Sequence, residues 1–159
     1  MDNFWRDAAR GGAIIGAVSV AGTLIQMLTG LSLGLVIWAL MGYFIYKYAK
    51  RRSMLYSPAE GFTYGRSVGF IMAMLAFAGL IAGAGQYLLL SIFSPDFFTA
   101  FYAQIIERYP DFAVSDSAFM QRWLSSPLVW MLSGVAGMLC IGLFVALVVS
   151  IFVRRMPEY

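Results

Sequence analysis

Charged side chains are missing from three long stretches of the chain, 11–46, 67–95 and 123–153. These are 36, 29 and 31 residues long and hold 96 of the 159 positions. A bilayer core of about 30 Å takes about 20 helical residues per crossing, so each stretch is long enough to cross. The first is too long to cross once, because as a single helix it would run about 54 Å. It is predicted to fold back at Thr29-Gly30-Leu31-Ser32. Gly30 can take the left-handed conformation that ends a helix, and Ser32 can cap the next one. The pattern therefore predicts four spans, about 10–28, 32–49, 63–92 and 127–153. A connection this short makes the first two antiparallel neighbours.

Local signals support the other boundaries. Thr63 is placed to cap the third span, and Arg66 can snorkel to the interface. Ser57-Pro58-Ala59-Glu60 has capping-box spacing and can start a short surface helix, although Gly61 weakens it. Ser126-Pro127 opens the fourth span and Arg154-Arg155 close it. The last two spans exceed one crossing and must tilt or project. The loop 95–126 holds two further helical patterns. Ser94-Pro95-Asp96 starts one, and Phe97, Phe98, Phe101, Tyr102, Ile105, Ile106 and Tyr109 recur on one face before Pro110. Ser115-Asp116 starts the other, before Phe119, Met120, Trp123 and Leu124. Both read as interfacial anchors, with a lid over a pocket as the alternative. The fold class is all-α: an integral membrane four-helix bundle of two antiparallel transmembrane hairpins, with one or two short amphipathic interfacial helices between spans three and four. Residues 1–159 form a single transmembrane domain.

Composition narrows the class. Apolar residues make up 61% and charged residues 12%, against about 25% charged in soluble domains. A water-facing surface cannot be built from this, so a soluble domain is excluded. There is no histidine, and Cys140 is the single cysteine. An intrachain disulfide and a Cys/His metal site are excluded, and no cofactor is expected. The net charge of +3 comes from clusters beside apolar stretches, which is a poor footprint for nucleic acid. Arg6 and Arg10 before an apolar run imitate a signal peptide, but the run outlasts a signal core, so it reads as an uncleaved anchor.

Lys and Arg then orient the chain. Four spans put Arg6, Arg10, Lys47, Lys50, Arg51, Arg52, Arg66, Arg154 and Arg155 on one side, and only Arg108 and Arg122 on the other. Nine against two predicts both termini cytoplasmic, with the 95–126 loop outside.

The candidate contact residues are mostly small. Gly12, Gly16, Ser19, Thr23, Gln26 and Gly30 share one face of the first span. Gly79 pairs with Gly83 and Ala78 with Ala82 in the third, and Gly142, Ala146 and Ser150 align in the fourth. Such stripes let helix backbones approach in lipid. Internal packing is the plainer reading; the sharper one is a docking face for another membrane subunit or a second copy. Gln26 and Gln86 are the only amides well inside the spans. An unpaired amide in hydrocarbon is costly, so both are expected to bond across helices or to line a wet cavity, with packing preferred. Lys47, Lys50, Arg51 and Arg52 read first as the topology signal, and second as a contact for anionic lipid or a pyrophosphate head group.

Catalytic chemistry is poorly supplied. No predicted span holds a histidine or a carboxylate, which removes Ser–His, paired-Asp and zinc proteolysis and the usual proton couplers.

Several segments together resemble a family of four-span bacterial inner-membrane proteins known as domain of unknown function 4199. The segments are Gly61-Phe62-Thr63-Tyr64-Gly65-Arg66-Ser67-Val68-Gly69 at the start of the third span, Ser94-Pro95-Asp96-Phe97 after it, and Ser126-Pro127-Leu128 before a last helix ending in Arg154-Arg155. Thr63 and Tyr64 stand where Ser and Phe are more usual. The family has no established activity or catalytic residues to carry over. The resemblance implies an accessory role, because its genes often sit near membrane glycosyltransferases. The expectation is a non-catalytic scaffold or accessory subunit of a membrane complex, with the bilayer and another subunit or a second copy as partners. The alternative is a small transporter or flippase-like lipid-handling protein. A dry interior with exposed small-residue faces favours the first, and a polar path between the helices favours the second.

Overall fold

The computed structural model describes residues 3–57, 60–110 and 117–155. Six helices follow in order: α1 (Phe4–Thr29), α2 (Gly34–Ser53), α3 (Tyr64–Phe93), α4 (Phe97–Arg108), α5 (Ser117–Leu124) and α6 (Pro127–Val153). The fold is all-α, and among the described residues the only extended pairing is an isolated antiparallel bridge between Phe62 and Arg155. Three helices, α1, α3 and α6, are long and apolar enough to cross a membrane. The last two turns of α2 carry Lys47, Lys50, Arg51 and Arg52, and this charge keeps its hydropathy low.

Most helix ends lie where local chemistry puts them. Gly30 has φ 69° and donates its N–H to the Gln26 carbonyl, closing α1. Ser32, however, does not cap α2: the N-cap position is Leu33, and no side chain caps it. The Thr29 hydroxyl organises this turn instead. It donates to the Ile25 carbonyl at 2.7 Å and accepts from the Leu31 N–H at 3.2 Å. Thr63 caps α3 by accepting from the Arg66 N–H at 3.4 Å. Ser126 holds the N-cap position of α6 with Pro127 after it, but its hydroxyl makes no capping bond. Asp96 holds the N-cap of α4, again without a side-chain bond.

Two starts differ from expectation. α1 begins at Phe4, six residues before the expected start near 10, because helix formation does not stop at charged residues. At Ser57 the chain makes a turn: the Glu60 N–H donates to its hydroxyl and carbonyl, and Gly61 follows at φ 61°. Residues 58–59 and the expected cap Ser115-Asp116 lie outside the described residues.

α3 is the central helix. α1 lies along it in the same sense, since Gly11 and Gly12 meet Met74 and Gly85 meets Val20. α6 lies along it in the opposite sense, from Gly83 beside Trp130 to Ser67 beside Ser150. Both seams are backbone-close. A Cβ on Gly12 would stand 2.5 Å from the Met74 carbonyl oxygen, and one on Gly79 2.5 Å from the Val135 Cα. α2 runs back along α1: Ile37 fills the space over Gly22, and Arg52 reaches Asp7. The core is apolar and built from Ile15, Ile45, Phe70, Ile71, Met74 and Leu75 with smaller neighbours. The Ser150 hydroxyl donates to the Ser67 hydroxyl at 2.9 Å inside it, and both residues are fully buried. At the same end Tyr64 bonds the Leu147 carbonyl and the Phe62–Arg155 bridge closes the seam.

The outer surface is also apolar. Leu35, Phe144 and Phe152 are 89%, 72% and 73% exposed, an arrangement that water penalises and lipid does not. α4 buries no residue fully. Its Phe97 and Phe98 contact Trp130, whose indole N–H donates to the Leu124 carbonyl at 2.9 Å. This aromatic knot ties α4 and α5 to the start of α6.

Candidate functional site

The first turn of α1 and the last turn of α2 bring charge together. One terminal nitrogen of Arg52 donates to Asp7 at 2.8 Å. Arg52 is 5% exposed and Asp7 28%. Burying a guanidinium costs several kcal/mol unless it is paired, and here a carboxylate pairs it. Phe4, Tyr56 and Phe70 place their rings 5.8, 5.6 and 6.0 Å from its centre, adding cation–π attraction. The pair lies 45 residues apart in sequence and locks the base of the α1–α2 hairpin.

Beside this pair is a cavity of about 440 Å³. Asp7, Arg10, Tyr48, Arg51 and Arg52 form its polar wall, and Ala13, Ile14, Leu55 and Phe70 its apolar wall. Helical spacing explains the grouping. Asp7, Arg10 and Ile14 fall on one face of α1, and Tyr48, Arg51 and Arg52 on one face at the end of α2, with Leu55 in the turn that follows. Gly11 lets the wall form, since a Cβ there would stand 3.3 Å from the Tyr48 ring and closer still to Met74. Three guanidinium groups face one carboxylate, and Arg52 already engages that carboxylate. Arg10 and Arg51 are exposed and, among the described residues, have no carboxylate partner. The arrangement can hold an anion. It does not place a nucleophile beside a base among the described residues.

The basic cluster divides in two. Arg51 and Arg52 line the cavity, whereas Lys47 and Lys50 do not. The Lys50 ammonium donates to the Tyr46 hydroxyl at 3.1 Å, and Lys47 lies over the Tyr43 ring. Asp7, Arg10 and Tyr48 went unnoticed as site residues in the sequence. Their signal was the hairpin register: residue n of α1 faces residue 59 − n of α2, as Asp7 faces Arg52 and Gly22 faces Ile37.

The small residues lie at seams. Gly12 and Gly16 meet α3, Gly79 and Gly83 meet the α6 backbone, Gly142 meets Leu75, and Ala146 is fully buried. The two amides are a correction. Gln26 and Gln86 are exposed, and neither makes a side-chain hydrogen bond among the described residues. A stripe stepping by 3.5 residues drifts about 20° per heptad on a straight helix. Two heptads beyond Gly12, Gln26 has therefore left the seam.

The family described as "Protein of unknown function (DUF4199)" matches residues 10–155. The chain belongs to that family. The match takes in every cavity residue of this DUF4199 protein except Asp7. No curated protein and no solved structure matches it.

Proposed function

We propose that this DUF4199 protein is a four-span component of a bacterial inner membrane, with both termini cytoplasmic, and that it serves as a non-catalytic scaffold or accessory subunit. The observation that supports this reading is the close packing of α1, α3 and α6 around an apolar core. Both seams of α3 are sealed by glycines against backbone. Among the described residues, the buried polar ones are Arg52, Ser53, Ser67 and Ser150, and each makes a side-chain hydrogen bond within the chain. Such a core offers no polar route for a solute among the described residues.

The fourth span is α2. α1 and α3 run in the same sense side by side, so the chain must return between them, and α2 returns over the same height as α1. Its charged end then reaches the cytoplasmic surface. α4 and α5 lie outside as interfacial helices, held at the bundle end by Trp130. Ser133, Ala136, Gly137 and Cys140 are exposed on one face of α6. This face suits close approach by another membrane helix, from a different subunit or a second copy.

Mild-detergent purification with mass spectrometry tests the reading. A stoichiometric membrane partner or a defined homo-oligomer is expected. A monomer that alone turns over a substrate in liposomes, or takes one up along a pH gradient, would overturn it. The arginine cavity favours the second reading, a lipid-handling protein, which predicts lipid transfer by the purified chain alone.

A further inference from the structure

We propose that the cavity between the start of α1 and the end of α2 binds a phosphate-bearing anion, gripped by Arg10 and Arg51. The inference goes beyond the accessory role, and it stands whether or not a partner subunit exists.

The charge in the cavity is divided by function. Arg52 is buried, bonded to Asp7 at 2.8 Å and ringed by aromatics, so it is a fixed rear wall. Arg10 and Arg51 are exposed at the mouth and, among the described residues, bond no carboxylate. They approach from different helices, which lets two guanidinium forks take one tetrahedral group. Tyr48 lines the same cavity, and its hydroxyl makes no hydrogen bond among the described residues. The Asp7–Arg52 pair joins the two helix ends that carry both arginines, so their backbones are already positioned before any ligand arrives. The volume of about 440 Å³ accommodates a phosphate or pyrophosphate group with part of its attached chain. Ile14 and Leu55 line the same cavity and are 37% and 66% exposed, so the site joins charge to an apolar rim. That pairing fits the head group of a phospholipid at the membrane surface. A soluble pyrophosphate offers the same group without the tails.

Lys47 and Lys50 distinguish a built site from diffuse surface charge. They carry the same charge one turn away, but lie over tyrosines of their own helix and outside the cavity.

The test uses the full chain in detergent, with native mass spectrometry after titration with phosphatidylglycerol, phosphatidylcholine or inorganic pyrophosphate. One phosphatidylglycerol should bind about tenfold or more tightly than phosphatidylcholine, a difference of about 1.4 kcal/mol. Arg10→Gln with Arg51→Gln should abolish that preference, and Arg10→Lys with Arg51→Lys should keep only part of it, because lysine supplies the charge without the guanidinium fork. Lys47→Gln with Lys50→Gln should change it less than about threefold, since these charges are solvent-screened. Tight binding of pyrophosphate with no lipid preference would support the site and assign it a soluble ligand. Wild-type protein that binds neither preferentially would overturn the proposal. So would equal losses in the arginine and lysine variants. The wild-type comparison decides the matter even if the arginine variant does not fold.

Discussion

Gly79→Ala should unseat α6 from α3. The added methyl would stand 2.5 Å from the Val135 Cα, 2.7 Å from the Gly134 carbonyl oxygen and 2.8 Å from the Val135 nitrogen. All three atoms are backbone, so no rotamer change relieves the clash, and the helices must part by about 1 Å to restore ordinary contact. Overpacking of this kind costs about 1–3 kcal/mol. The opening also strains the Ser67–Ser150 bond further along the same seam. Gly69→Ala, elsewhere on α3, is the matched control, because a Cβ there meets nothing within 4 Å. It should be neutral or stabilise by about 0.5–1 kcal/mol, the usual gain of alanine over glycine in a helix. Thermal unfolding in mild detergent, followed by circular dichroism, measures both. At about 2–4 °C per kcal/mol for a chain of this size, the two variants should differ by several degrees. Equal midpoints would refute the close α3–α6 seam.

Three further outcomes are expected. Asp7→Ala removes a carboxylate from the buried Arg52 and should destabilise by up to about 3 kcal/mol, whereas Asp7→Ala with Arg52→Met should recover much of the loss; detergent unfolding of both variants decides. Ser67→Ala strands a fully buried hydroxyl on Ser150 and should cost about 1–3 kcal/mol, while the double alanine variant should cost less, as a thermal-melt cycle would show. Trp130→Phe removes the bond to the Leu124 carbonyl, so hydrogen exchange should rise in α5 and stay unchanged at the Ser67 end of α3; a uniform rise would contradict the local role of the knot.

The helices were largely legible in the sequence because their signals are local. Gly30, Thr63 and Pro127 punctuate the chain at α1, α3 and α6 as their backbone chemistry dictates. Ser32 misled because Thr29, three residues earlier, supplies the hydroxyl that orders the same turn. The cavity was half legible. Arg51 and Arg52 stood out as a charge run, but Arg10 read only as flanking charge, and nothing marked Asp7 until the hairpin register placed it opposite Arg52. That register depends on where the turn falls to within a residue. Lys47 and Lys50 shared the run but not the face, a distinction set by the 100° step of the helix. Gln26 and Gln86 show the same limit, since a stripe in sequence is not yet a seam in space.

The central claim is that α2 crosses the membrane, although its composition is less apolar than that of α1, α3 and α6. Single cysteines at exposed positions on either side of α2, Ser32→Cys and Ser57→Cys, in a Cys140→Ser background, test it most directly with a membrane-impermeant maleimide. Four spans with cytoplasmic termini predict labelling at position 32 in intact spheroplasts, and at position 57 only after lysis. Labelling of both positions, or of neither, in intact spheroplasts would contradict the account.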